Sequence, residues 1–393
     1  MNLNISRKEL LILAKKVAKA APSALVTPHL KGILLEANAA GSTVQLTATN
    51  LEVAIRAVMP ANVENGGSVV IPADIFLGML SRMESDEVHI KANSAAQIVL
   101  TGGTAAYNIS VLPGERFPKI HMPMPGGSIF VTGLKSLIHK AVIASDPRPG
   151  PITSRDCVRL CFSEAGLTAS AGGAYSVVQV AGDREATGNI SLLVPPAPLK
   201  ILAQLSQDSD VYELGVTGSG TAKTLVCCDG TLTFSARLAE GTAMDTERLF
   251  GSFVPETLVN MEAEALTAAI ETISAIADAE DAVKLAFAPD SLALSCEASA
   301  GTSALKVAAD VKNPLPKALY FRLGQLRSCI RALNGPVSLS FSKEGHLTIQ
   351  TAALRYLQVA SRPRVKAVPK PKVLKEAAPK TKPPKTKKPK AAA

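Results

Sequence analysis

The stretch 5-ISRKELLILAKKVAKA-20 carries apolar residues at helical spacing on one face and lysines on the other. The same pattern returns in 132-TGLKSLIHKAVIAS-145 and in 262-EAEALTAAIETISAIAD-278. Their first residues, Ile5, Thr132 and Glu262, lie about 130 residues apart. A second helix follows a short apolar strand in each unit: 69-VVIPADIFLGMLSRM-83, 192-LLVPPAPLKILAQLS-206 and 319-LYFRLGQLRSCIRAL-333. In the first two a proline stands at the strand-to-helix turn, where its fixed φ suits the first helical turn. These offsets match the same repeat.

Between the helices the chain alternates with period two, as in 42-STVQLTATN-50, 105-AAYNISVLP-113, 231-TLTFSARLA-239 and 291-SLALSCEASA-300. Gly, Asn, Asp and Ser mark the turns. The reading is an α+β chain of three repeated domains, each with two helices packed on antiparallel sheets. The expected domains are 1–124, 125–253 and 254–362, with a tail at 363–393. Helices on one face of antiparallel sheets place them all on one side of an arc. Closing that arc into a ring requires a second copy.

Composition sets further bounds. Apolar residues make up 47% of the 393, enough for several cores, but aromatics are 4% and Trp is absent, so Leu, Ile, Val and Ala must fill them. No apolar run is long enough to span a membrane. The start, MNLNISRKELL, has charges where a signal peptide needs its apolar segment, so a cytoplasmic protein is expected. The six cysteines form no CxxC pair and read as reduced, mostly buried thiols.

The net charge of +9 is uneven: from Arg362 onward there are 12 Lys or Arg and one acid, Glu376, which gives +11 and leaves −2 for the remainder. The tail is Lys, Pro and Ala in repetition and cannot bury a core. Lys380, Lys382, Lys385, Lys387, Lys388 and Lys390 are candidate phosphate contacts in a sequence-independent DNA arm. An inert, solubilising tail is the alternative.

Catalytic chemistry is not evident. GGTAAYN and 218-GSGTAKT-224 lack the spacing of a phosphate-binding loop, and the second reads as a hairpin turn. The five histidines are scattered, and no nucleophile motif, metal-ligand set or carboxylate cluster stands out. The expectation is no enzyme, no metal and no cofactor.

Three stretches resemble a known family. They are TPHLKGILLEA, then 46-LTATNLEVAI-55 with Asn50 where an aspartate is usual, then 110-SVLPGERFPKI-120. In this order and spacing they resemble the bacterial DNA polymerase III β subunit, the sliding clamp, over about residues 1–362. The resemblance implies a head-to-tail homodimer around double-stranded DNA, with the polymerase III catalytic subunit and the clamp loader as partners in a bacterial, nucleoid-associated setting. It implies Tyr107 and Ile109 on one side of the dimer interface, and Ile273 and Ile276 on the other.

It also implies a peptide pocket between the second and third units, and there the chain departs from the family. The family's Thr-Asp-Gly-His-Arg-Leu wall aligns with Gly172, Gly173, Ala174, Tyr175, Ser176 and Val177. Ala243, Met244 and Asp245, then Arg248 and Leu249, replace another wall. Gln325 stands for a tyrosine, and the apolar C-terminal floor aligns with Arg362 to Lys366, including Pro363. An apolar cleft is expected to survive through Val177, Met244 and Leu249, with altered specificity; the alternative is that Tyr175 and Met244 are ordinary surface or core residues. Two usual DNA-contacting basic residues align with Ala24 and Ala197, leaving Lys19, Arg148, Arg155 and Lys200 as candidates. A clamp-fold scaffold or regulator with altered partners is the second reading, and an unrelated α+β enzyme the third.

Overall fold

A computed structural model describes residues 1–22, 27–94, 96–123, 127–145, 153–182, 184 and 186–361. The chain is built from six successive strand–helix–three-strand modules, two per unit. The first module is β1 (Asn2–Ser6), α1 (Arg7–Val17), β2 (Gly32–Asn38), β3 (Thr43–Thr49) and β4 (Val53–Pro60). The second holds β5 (Asn62–Asn65), β6 (Gly67–Pro72), α2 (Ala73–Arg82), β7 (Glu87–Ser94), β8 (Gln97–Gly102) and β9 (Ala105–Ser110), with β10 (Leu112–Pro113) after it. The second unit contains β11 (Ile129–Val131), α3 (Leu134–Ala141), β12 (Val158–Ser163), β13 (Gly166–Gly172) and β14 (Ser176–Ala181). Its other half is β15 (Ile190–Val194), α4 (Pro196–Leu205), β16 (Tyr212–Thr217), β17 (Thr224–Cys228) and β18 (Leu232–Arg237), followed by a short α5 (Thr246–Gly251). The third unit runs through β19 (Thr257–Glu262), α6 (Ala263–Ser274), β20 (Ala282–Ala288), β21 (Ser291–Ala298), β22 (Gly301–Ala308) and β23 (Asp310–Lys312). It ends with β24 (Leu319–Arg322), α7 (Leu323–Ile330), β25 (Pro336–Phe341), β26 (His346–Gln350) and β27 (Leu354–Val359).

All six expected helices form, each shorter than its sequence pattern. The first expected helix began at Ile5, but Ile5 and Ser6 belong to β1. The alternation of NLNIS buries Leu3 and Ile5 on one sheet face, and the Ser6 hydroxyl then caps α1 by accepting from Glu9 N. Pro72 and Pro195 sit at the N-caps of α2 and α4, with Pro196 inside the first turn of α4, where a missing N–H costs nothing. The 218–224 stretch is the turn between β16 and β17, as its spacing predicts.

The leading strand of each module pairs in the sheet of the other module of its unit: β1 beside β7, β6 beside β2, β11 beside β16, β15 beside β12, β19 beside β25 and β24 beside β20. This exchange interlocks the two halves of every unit. The helices pair within units, α1 with α2, α3 with α4 and α6 with α7, on one face of the sheets. One continuous core lies between, filled by Leu, Ile, Val and Ala around a few fully buried aromatics such as Phe76, Phe234 and Tyr356.

Four sheets result. Two nine-stranded sheets cross between units, in the orders β10-β6-β2-β3-β4-β18-β17-β16-β11 and β15-β12-β13-β14-β27-β26-β25-β19-β23. A five-stranded sheet, β5-β1-β7-β8-β9, and a four-stranded sheet, β22-β21-β20-β24, stand at the two ends of the chain.

Candidate functional site

The seams between units are antiparallel strand pairs, and both follow one rule. The last strand of a unit's first module pairs with the last strand of the next unit's second module. Thus β4 meets β18, with Ile55 opposite Phe234, and β14 meets β27, with Val178 opposite Tyr356. Relative to the strand starts the register is identical at both seams. Because side chains alternate across a strand, the neighbours of these core residues point to the outer face, away from the helix pairs.

At the seam between the second and third units that outer face carries a separate apolar cluster. Val177 and Leu357 lie directly opposite each other and are nearly buried, together with Phe250 of α5. Met244, Phe253 and Val359 pack around them. Helix α5 is held there by local chemistry: the Asp245 carboxylate caps it, accepting from Arg248 N at 3.1 Å. The Arg355 guanidinium lies 4.5 Å from the Phe250 ring centroid and donates to Gln179 and Glu247. Met244 occupies the space beside Gly172 so closely that an added Cβ would stand 2.2 Å from its Sδ. At the mouth, Leu249 and Val254 are exposed, Val254 at 72%.

The eight expected pocket residues from Gly172 to Met244, with Arg248 and Leu249, do not all face the cluster. Gly172, Val177 and Met244 meet in or beside the cluster, whereas Ala174 and Arg248 are exposed on its rim and Ser176 points to the core side. Tyr175 stacks on Arg322, 3.8 Å from guanidinium carbon to ring centroid, and its carbonyl accepts from Val359 N. Arg322 also pairs with Glu280 at 2.7 Å, so it ties the second unit's hairpin to the third unit. Gln325 sits on α7 with its Oε1 buried and unpaired among the described residues. Pro363 lies outside the described residues. The sequence reading missed Phe250, Phe253, Leu357, Val359 and Arg322. The alternation of LRYLQV and the aromatic spacing of LFGSF were the available signals.

The comparisons with known proteins agree with this architecture. Residues 1–122 match the family model described as DNA polymerase III beta subunit, N-terminal domain. The beta sliding clamp of Synechococcus elongatus is 24% identical over 351 residues, 85% of this chain and 90% of that protein. The first 122 residues carry the N-terminal domain of the DNA polymerase III beta subunit family. The Chlamydia muridarum beta sliding clamp is 32% identical over 120 residues, 30% of this chain and 32% of that protein. The solved DNA polymerase sliding clamp from Bacillus subtilis shares the fold, with a TM-score of 0.80 at 18% identity over 92% of this chain and 99% of that one.

Set in the family fold, the other candidate residues are widely spread. Lys19, just past α1, reaches across the first seam to Gln204 of α4 at 2.9 Å. Lys200 is exposed on α4, and Arg155 is exposed in the 3-10 turn Ser154–Asp156. Arg148 and the six tail lysines lie outside the described residues. Tyr107 and Ile109 are half-buried on β9, the free edge of the five-stranded sheet. Ile276 is half-buried past the end of α6, but Ile273 is completely buried in its own unit's core and can support an interface only from behind.

Among the described residues no His, Cys, Asp or Glu group is placed to hold a metal ion, and no helix is long and apolar enough to cross a membrane. The thiols of Cys227 and Cys329 are driven far above the usual range by burial, and that of Cys157 to about 11 by burial and the adjacent Asp156.

Proposed function

We propose that this protein is a DNA sliding clamp, a processivity factor that encircles duplex DNA as a head-to-tail homodimer and tethers the replicative polymerase without chemistry of its own. One observation carries the ring. Each seam joins a first-module end strand to a second-module end strand, and the chain leaves one of each unpaired in that role: β22 and β9. The seam rule therefore joins β9 to β22 of the partner subunit. Carrying the register over places Tyr107 opposite Ser303 of the partner subunit, and Ile109 opposite Gly301 of the partner subunit.

Side-chain character supports this. Tyr107 occupies the strand position held by Phe234 and Tyr356 at the two internal seams. On α2, Ile75 is 51% exposed, whereas Pro198 at the matching place on α4 is buried. An exposed apolar residue at a position buried elsewhere marks a surface awaiting a partner. We divide the chain at 1–124, 125–253 and 254–362, with 363–393 as the tail.

The partner reading rests on the apolar cluster at the second seam. It supports docking of polymerase and clamp-loader peptides on Val177, Leu357, Met244 and Leu249, with a specificity shifted from the usual pocket. DNA contacts are assigned to Lys19, Lys200 and Arg155 on the body, to Arg148, and to the tail lysines. Loose phosphate contacts suffice, because a closed ring is retained by topology. The cell location that follows is cytoplasmic, on the nucleoid. The test is retention on DNA: once loaded, the protein should stay on closed circular duplex and leave after linearisation. Equal loss from both would overturn the reading.

A further inference from the structure

A cavity of about 470 Å³ opens on the outer face of the second seam, beside the apolar cluster but separate from it. Its volume is within the range of ligand sites. The register builds it. Arg159, Ser170, Gln179 and Arg355 lie side by side on β12, β13, β14 and β27, one row across the sheet. The next row holds Cys161, Thr168 and Ala181. With strands about 4.8 Å apart, the two arginines are rooted roughly 14 Å from each other. Between them the floor is made of small side chains, and the first turn of α5 closes one side with Thr246 and Glu247.

The charges do not balance. Arg355 shares Glu247 and Gln179, at 3.3 Å and 3.0 Å. The hydrogen bond of Arg159 among the described residues is a long one, Nε to Ser191 Oγ at 3.4 Å. Two guanidiniums therefore border the cavity with one carboxylate between them, and that carboxylate, 76% exposed, accepts from Gln179 Nε2 at 2.8 Å as well as from Arg355. Guanidinium forks match carboxylates in two-point geometry.

We propose that this cavity is a subsite for an acidic side chain, a glutamate or aspartate flanking the apolar anchor of a partner peptide. Gln179 follows Val177 by two residues and Arg355 precedes Leu357 by two on the antiparallel partner strand, on the same sheet face, so a peptide on the apolar cluster reaches the cavity within one or two residues, about 7 Å. The identity of the partner rests on the clamp reading; the subsite does not.

Cys161 lines the cavity and is half-buried, which gives a direct readout, with the equally half-buried Cys228 on β17 as internal control. Alkylation of the full-length protein is followed by mass at each cysteine with millimolar acetyl-tetraglutamate amide or acetyl-tetraglutamine amide. Tetraglutamate should slow Cys161 several-fold and leave Cys228 unchanged. Arg159→Gln should remove that protection, and Glu247→Gln, which takes away the competing carboxylate, should strengthen it. Equal protection by tetraglutamine, or no protection, overturns the subsite. Failure to remain on circular DNA would instead sink the clamp reading and leave this result standing.

Discussion

Tyr356 lies directly opposite Val178 across the second seam, both completely buried, in the register that sets Phe234 opposite Ile55 across the first. In the proposed ring, the free strands β9 and β22 are the two halves of a third seam. Ile109→Asp places a charge in that third seam and none in the other two. Sedimentation should then show a monomer at micromolar concentration where the parent chain is a dimer, with the thermal midpoint of the monomer little changed. Phe234→Ala, inside an internal seam, should instead cost about 3–5 kcal/mol of stability. A dimer that survives Ile109→Asp counts against the ring.

The Val177, Leu357 and Phe250 cluster should tolerate little polarity. Val177→Asp or Met244→Asp is expected to abolish binding of the cognate polymerase or loader peptide while the circular dichroism spectrum stays that of the parent. Gly172→Ala should act more gently: the new methyl displaces the flexible end of Met244, and peptide affinity should change more than the melting temperature. Unaltered peptide binding in both charged variants would move the site elsewhere.

Glu271 binds Arg327 at 2.6 Å and Arg331 at 2.7 Å, tying α6 to α7. Hydrogen bonds from Arg327 and then Arg331 hold its carboxyl down at about 2. A carboxyl depressed in the folded state stabilises above its unfolded value, near 4.3, and that contribution fades as pH falls toward 2. Glu271→Gln should therefore lower stability at pH 7 and reduce the steepness of its decline between about pH 4.5 and 2. Chemical denaturation at stepped pH values reads this, and parallel curves for both proteins would exclude the linkage.

Thiol reactivity should split by burial. Cys157, Cys227 and Cys329 hold raised thiol pKa values, and Cys296 is 2% exposed. Brief alkylation of the native protein at pH 8 should modify Cys161 and Cys228 first. Early labelling of Cys227 or Cys329 would mean that the second unit's sheet or α7 opens readily.

Deleting residues 367–393 should leave dimerisation and melting nearly unchanged and flatten the salt dependence of DNA binding. With half a dozen lysines engaged, affinity should fall about a thousandfold between 50 and 200 mM salt in the full chain. If the truncated protein binds linear duplex equally well at low salt, an acidic protein becomes the better partner for the tail.

By itself, the sequence determined the repeat. Helical spacing in ISRKELLILAKKV and alternation in STVQLTATN are local consequences of backbone geometry, and local rules read them correctly. The resemblance also singled out Gly172, Val177 and Met244, which the fold gathers at one cluster, because a resemblance carries positions along the chain. What only the tertiary structure decided is which strands meet. The pairing of β14 with β27 joins Val177 to Leu357, residues far apart in the chain, and nothing local encodes such a contact. The same holds for β1, hidden before the first helix, and for Ile273, apolar like any interface residue yet sealed in its own core. Arg159 and Arg355 share a cavity for the same reason: the sheet's register, set by the whole fold, sets them in one row.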